Sequence, residues 1–354
     1  MKVIIAIDSF KGCLTSAEAN HAAAFGVRQA CPDAEIVRVQ VSDGGEGFLD
    51  AWYATLGGKY VETEVCDPLM RPHVARYLLV GEMAVIETAQ AIGLSLLADS
   101  ERNAETATSY GAGQLLAHAV GQGASRLVVA LGGSATSDAG MGMLRALRHH
   151  SLDGVRITLA TDVANPLLGP DGAAAVFAPQ KGATPAMVVR LEARARRFAR
   201  LAARRMNRDC STMPGAGAAG GLGYALLQFF GAETKPGTDL LLDAIGFSRL
   251  VDGADLIITG EGAADRQTLM GKLPLGVLRH AGNVPVFLLA GCVSDCEQLS
   301  EAGFAQVASI HPDWPVGGAP PSAAWLSEHM HPALTKAHIA ETVSNWLSRP
   351  PFYP

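Results

Sequence analysis

Long hydrophobic runs are missing: no uncharged apolar stretch in the 354 residues reaches the ~18 that a membrane span requires. A secretory leader is not expected either. The apolar run after Lys2 is only Val3 to Ile7 and stops at Asp8 and Ser9 without a small-residue cleavage site, so it reads as a first strand and a cytoplasmic location is expected. Cysteine is sparse. Of the six, only Cys292 and Cys296 are close together, with no second pair and no histidine in step, which argues against zinc and for thiols in a reducing compartment. Charge is low at 18% against 49% hydrophobic residues, so disorder is excluded. Basic residues form no long run and the net charge is −6, which argues against a nucleic-acid partner. The P-loop spacing is absent. Gly132-Gly133-Ser134-Ala135-Thr136 fails the Gly-x-Ser-x-Gly nucleophile elbow at its last position. His329 and His331 flank Met330 with no third ligand at a metal spacing and read as a solvated loop. No unit recurs at a fixed period, which excludes a solenoid.

What is abundant is glycine, 39 of 354 or about 11% against an ordinary ~7%, gathered in short clusters. Around these clusters short β-branched runs alternate with helical patterns. Strands are expected at 3–7, 36–41, 84–87, 126–130, 155–160, 256–259 and 286–289. Helices are expected at 16–30, 48–56, 106–120, 187–205, 221–230 and 274–280. The alternation predicts an α/β fold of two domains with mostly parallel sheets buried on both faces. In such sheets ligands bind where the carboxyl ends of strands open into loops, and five polar clusters fall there. They start at Asp8-Ser9, Asp43, Gly132, Asp162 and Gly260-Glu261.

Glycine loops let backbone N–H groups approach anionic oxygens, which makes Gly132, Gly133, Ser134 and Thr136 one phosphate-binding candidate and Gly215, Gly217 and Gly220 another. The latter form a Gly-x-Gly-x-x-Gly that follows no strand, which argues against a dinucleotide role, and close packing of a helix start is the lesser reading beside phosphate binding. Lys11 and Lys272 each neighbour a glycine, where a mobile ammonium can meet phosphate as a point charge. The carboxylates Asp8, Asp43, Glu46, Asp138, Asp162, Glu261 and Asp265 are candidates for a metal, a general base or hydrogen bonds to a hydroxylated substrate. Asp138 and Asp162 are the most structural in character. Together these groups match what phosphoryl transfer from ATP needs.

Seven segments resemble the type I glycerate kinases in that family's order. They are Asp8 to Gly12, Ser42 to Gly47, Gly132 to Thr136, Asn165 to Leu167, Pro179-Gln180-Lys181-Gly182-Ala183, Gly215 to Gly223, and Thr259 to Lys272. The resemblance runs from Met1 to about Gly291. It implies ATP-dependent phosphorylation of D-glycerate with Mg²⁺, leaning to the 2-position, and a second domain inserted into the first. The expected domains are 1–60 with 269–354, and 61–268, with the active site in the cleft between them. On this reading Lys11, Asp43, Asp265 and Lys272 are catalytic, and Asp8, Ser9, Glu46 and Glu261 bind substrate. Lys11 and Lys272 neutralise phosphate, Asp43 serves as base or substrate contact, and Glu261 and Asp162 hold the metal.

The expected partners are glycerate and ATP, with homo-oligomerisation open. Formation of 3-phosphoglycerate, another small hydroxy acid as substrate, and a nucleotide-binding regulator remain as alternatives. This sequence departs from the family in having Cys13 for a usual serine and Ser137-Asp138-Ala139 for a usual Asn-Asp-Gly. It also has only Ser151 to Gly154 where the family carries a further stretch.

Overall fold

The structure, a computed structural model, describes residues 1–10, 12–42, 47–311 and 329–348. By contacts the chain divides into two compact units, Met1–Asp43 with Thr238–Pro354, and Gly44–Gly237. Both are helix-flanked α/β units with largely parallel sheets. Among the described residues no helix is long and apolar enough to cross a membrane.

The first unit holds five parallel strands, β1 (Lys2–Ile7), β2 (Glu35–Arg38), β9 (Leu256–Ala264), β10 (Val286–Val293) and β11 (Gln306–Ser309), in the order β11-β10-β9-β1-β2. Five consecutive residues of β1, Val3 to Ile7, are buried, which is why the run carries no polar alternation. The helix Ser16–Ala30 starts on a capping box. The Thr15 side chain accepts from the Glu18 backbone N–H, and the Glu18 carboxylate accepts from Thr15 N–H at 3.0 Å. The helix Pro332–Leu347 packs against it, and Trp346 meets Phe287 of β10 edge to face.

The second unit holds β3 (Lys59–Cys66), β4 (Pro72–Val80), β5 (Met83–Glu87), β6 (Arg126–Ala130), β7 (Arg156–Ala160) and β8 (Glu233–Lys235), in that spatial order. β5 to β8 are parallel, whereas β3, β4 and β5 form an antiparallel meander. β5 answers to the strand expected at 84–87, but β3 and β4 have no counterpart in the strands expected from sequence. β3 is mostly exposed or half-buried and intersperses Lys59, Glu62 and Glu64 among its β-branched residues, which weakens the apolar signal.

The contact division departs from the expected boundaries at both ends. β9 is hydrogen-bonded between β1 and β10, so the chain has returned to the first sheet well before residue 269. The helix Phe48–Leu56 packs on β4 and β5, with Leu49 N–H donating to Glu87 Oε1 at 2.7 Å, so it belongs to the second unit. The helix expected from 106 begins only at Tyr110, because Thr108 N–H is drawn to Pro68 O and Ser109 N–H to the Asp138 carboxylate. The short connection before β7 closes on itself. Ser151 Oγ donates to Asp153 Oδ2 at 2.7 Å, and Val155 N–H bonds to Leu152 O.

Gly26 shows what sets the spacing of the paired helices: a Cβ there would lie 2.3 Å from the Ala340 carbonyl oxygen. Gly26→Ala gains about 1 kcal/mol of helix propensity but overpacks the contact, which costs roughly 1–3 kcal/mol. The variant is expected to melt below the wild type in a thermal scan and to expose the Pro332–Leu347 helix to limited proteolysis. An unchanged melting point would mean that the two helices move apart freely.

Candidate functional site

In the first sheet the chain leaves β1 toward β2 on one side, while β9 lies on the other. The β1–β9 border is therefore the point where strand order reverses, the position at which open α/β sheets bind ligands. The registered pair Ile7–Gly260 ends this border, and Asp8 and Glu261 are the next residues on the two strands. Both carboxylates are buried. Asp8 N–H bonds to Gly260 O, and its Oδ1 accepts from Ser9 N–H at 2.7 Å.

Glu261 is held by both oxygens. Oε1 accepts from Thr268 Oγ1 at 2.6 Å and Oε2 from Lys272 Nζ at 3.1 Å. Lys272 Nζ also lies 3.9 Å from Asp265 Oδ1. Asp265 organises the turn between them, with its N–H donating to Thr268 Oγ1 and its Oδ1 accepting from Gln267 N–H. Burial pushes the Glu261 carboxyl above the ordinary range, against the opposing pull of Lys272 and the Thr268 hydroxyl. The Cys292 thiol, on the neighbouring strand β10, is likewise pushed up by burial and by the charges of Asp265 and Glu261. The first unit thus gathers a buried carboxylate, a partly exposed ammonium and a second carboxylate at one strand end, with Asp8 and Ser9 at the next.

In the second unit the glycine loop after β6 is fixed by Asp138. Its Oδ2 accepts from Ser109 N–H, Ser109 Oγ and Gly142 N–H, and its Oδ1 from Gly140 N–H, at 2.9 to 3.0 Å. That confirms its structural character. The loop borders a cavity of about 310 Å³ lined by Gly132, Gly133, Ser134, Lys181, Ala218 and Ala219 among others. Lys181 is buried at 3% exposure, donating to Ser134 Oγ at 3.1 Å and Thr136 O at 2.7 Å. Burial lowers its pKa to about 7.

Gly217 and Gly220 pack closely on backbone, while Gly215 takes a φ of +83° against the Thr234 side chain. A Cβ on Gly217 would lie 2.4 Å from Pro166 O. One on Gly220, where φ is +65°, would lie 1.9 Å from Thr136 O. This seats the start of the helix Ala218–Phe230 on the glycine loop, through three successive left-handed residues, Ala219, Gly220 and Gly221. Asp162 follows β7 in this unit, and Glu261, with which it was expected to share a metal, belongs to the first. Among the described residues no three His, Cys, Asp or Glu side chains converge as a metal cage.

Lys11, Asp43 and Glu46 lie outside the described residues. Of the rest, the structure brings Glu261, Asp265 and Lys272 into contact in the first unit, with Asp8 and Ser9 at the adjoining strand end. It groups Gly132, Gly133 and Ser134 around a cavity in the second. Two participants were not singled out from sequence. Thr268 carries no signal beyond being a hydroxyl in a loop. Lys181 did carry one, since it precedes Gly182 as Lys11 precedes Gly12. The histidine reading also changes: His311 is buried, and its ring meets those of His329 and His338 edge to face at 6.0 and 5.4 Å.

A family model described as the glycerate kinase family matches residues 3–154 and 148–316, two segments that meet at the short connection before β7. A glycerate kinase of Bacillus subtilis is 39% identical, over 88% of this chain and 91% of its own. The glycerate 2-kinase of Escherichia coli K12 is 36% identical over 83% and 86%. A crystal structure assigned as glycerate kinase 2 of Salmonella typhimurium LT2 superposes with a TM-score of 0.81 at 34% identity, covering 98% of this chain and 97% of that one.

Asp138→Ala removes the acceptor of four hydrogen bonds and leaves buried N–H groups unpaired, at a cost of roughly 1–3 kcal/mol for each group left without water. The expected outcome is a large drop in the melting temperature or insoluble protein. Thermal unfolding of the variant beside the wild type checks this. A small shift would show that the loop does not depend on Asp138.

Proposed function

Since the chain belongs to the glycerate kinase family, we propose that it is an enzyme transferring the γ-phosphoryl group of ATP to D-glycerate, forming 2-phospho-D-glycerate. The observation that carries the residue-level reading is the Glu261–Lys272–Asp265 cluster at the β1–β9 strand ends. Charge that spreads over the transferring phosphoryl oxygens is stabilised by a positioned cation, and Lys272 is a partly exposed ammonium held in place by two carboxylates. Glu261 orients that ammonium by one oxygen. Its other oxygen polarises Thr268, whose position the Asp265 turn fixes.

Asp8, Ser9 and Glu261 supply the hydrogen-bonding groups for a small polyhydroxylated acid. Asp43, and with it Glu46 and Lys11, keep the roles expected from sequence as base, substrate contact and phosphate cation. A bound Mg²⁺ would neutralise phosphate charge; such an ion needs only one or two protein carboxylates beside water and phosphate oxygens, so Glu261 and Asp8 of the first unit, or Asp162 of the second, would be donors of suitable chemistry. Selection of the C2 hydroxyl over the more accessible C3 hydroxyl requires both the carboxylate and the C3 oxygen of glycerate to be held. The naming of the Escherichia coli relative as a 2-kinase supports that choice.

ADP release with D-glycerate, L-glycerate or glycerol tests the substrate. Feeding the product to enolase without phosphoglycerate mutase tests the position: phosphoenolpyruvate should form at once, and a signal appearing only after mutase is added would overturn the 2-position. Lys272→Met should lower turnover at least tenfold, about 1.4 kcal/mol of barrier, with the fold intact by circular dichroism. Normal turnover would remove Lys272 from the mechanism.

The raised pKa of Glu261 gives a further expectation. A carboxyl whose folded pKa lies above its unfolded one binds its proton more readily when folded, so its ionisation weakens the folded state as pH rises between the two values. Glu261→Gln is therefore expected to melt no lower than wild type at neutral pH while losing turnover. It should also lose the wild-type decline in rate as pH falls through the raised Glu261 pKa. A variant with the wild-type acid limb would assign that limb to another group.

A further inference from the structure

Lys181 belongs to none of the roles derived so far, and its surroundings are unusual for a lysine. The side chain is buried, and among the described residues no carboxylate lies within ion-pair distance of Nζ. The acidic group that influences it is Asp138, whose two oxygens are already taken by hydrogen bonds from Thr108, Ser109, Gly140 and Gly142. Burying a cation without a counter-charge is expensive, and a buried lysine is normally paired.

Nζ instead donates to two neutral oxygens, Ser134 Oγ and Thr136 O, and faces the 310 Å³ cavity. That accounts for two of the three N–H bonds an ammonium carries. Ser134 Oγ, in accepting from Nζ, keeps its own proton to donate. The backbone N–H groups of Gly132, Gly133 and Ser134 make no hydrogen bond among the described residues, and Gly132 and Gly133 present no side chain to the cavity. The hydroxyls of Thr136 and Ser137 on the same loop are also buried without a partner among the described residues. A concave space walled by a cation, a hydroxyl and open backbone donors is what an anion with several oxygens would complete.

We propose that this cavity is an anion subsite in which Lys181, Ser134 and the backbone of Gly132 to Ser134 hold the polyphosphate of the nucleotide. Lys181 is then a ligand-binding cation distinct from Lys272. The proposal rests on the glycerate kinase reading for the identity of the nucleotide, but its chemistry rests on the cavity alone. A glycerate carboxylate is a smaller anion that could use the same donors, and the test separates the two.

Titration calorimetry of the full-length protein with ADP, inorganic tripolyphosphate and D-glycerate provides that test. Above pH 7 much of Lys181 is neutral in the empty cavity, and an anion favours its charged form. ADP and tripolyphosphate binding at pH 8 should therefore take up a proton, seen as a heat that varies with the ionisation enthalpy of the buffer, and uptake should vanish near pH 6. This measurement needs no variant. Lys181→Met should keep or raise the melting temperature, because it removes a buried unpaired charge. It should also weaken ADP and tripolyphosphate at least tenfold and abolish the proton uptake, with Lys181→Arg restoring part of the affinity.

Unchanged ADP affinity in Lys181→Met would overturn the proposal. So would a loss of D-glycerate binding with tripolyphosphate binding intact. Failure of glycerate-dependent ADP release in the wild type would instead strike the catalytic reading, and leaves the binding results to decide the subsite on their own.

Discussion

A parallel sheet covered on both faces leaves a polar side chain only one place to go, the strand end. In the first unit Val3 to Ile7, Leu256 to Ile258 and Val286 to Ala290 are all buried, so a charge within them would be stranded among aliphatic groups. Asp8 and Glu261 sit just past that region, and Asp265 and Lys272 follow in the turn. The second unit obeys the same rule, with its polar loop beginning directly after β6. The chemistry of this protein is therefore concentrated by the demands of packing before any ligand is considered.

The two lysines at these strand ends are held by opposite means. Lys272 has Glu261 and Asp265 beside it and stays partly exposed, so it is oriented at little desolvation cost. Lys181 has only neutral acceptors and is enclosed, so its charge is costly until an anion arrives. The first arrangement suits a cation that must be in place throughout a reaction. The second suits a cation whose charged state is coupled to occupancy of its cavity.

Rigidity around the cavity comes from groups that touch no ligand. The saturated Asp138 carboxylate fixes the turn from 138 to 142, and the Gly220 backbone lies so close to Thr136 O that no side chain fits between them. The connection from 151 to 154 closes on its own hydrogen bonds and passes directly into β7, which stays in register with β6 from Arg126–Arg156 to Ala130–Ala160.

Much of this was legible in the sequence. Strand and helix runs of the parallel part are local patterns, and a β-branched run ending in Asp or Gly announces itself without any partner. The glycine loops, Glu261, Asp265 and Lys272 were readable for the same reason, and so was the family, whose segments occur in fixed order. What was not legible depends on residues far apart in the chain. β3, at the sheet edge, and β4 beside it escape notice because many of their residues are exposed or only partly buried. The neighbourhood of Asp8 and Glu261 exists because β9 pairs with β1 across about 250 residues of intervening chain. The Lys-Gly spelling is the same at 11 and 181, yet only tertiary packing makes Lys181 a buried cation without a carboxylate. Sequence alone determined the order of elements and the residue types offered at each strand end, because both follow from local periodicity and backbone preference. Tertiary structure alone decided which strand ends adjoin and which charges lose their water, because pairing and burial are set by every segment at once.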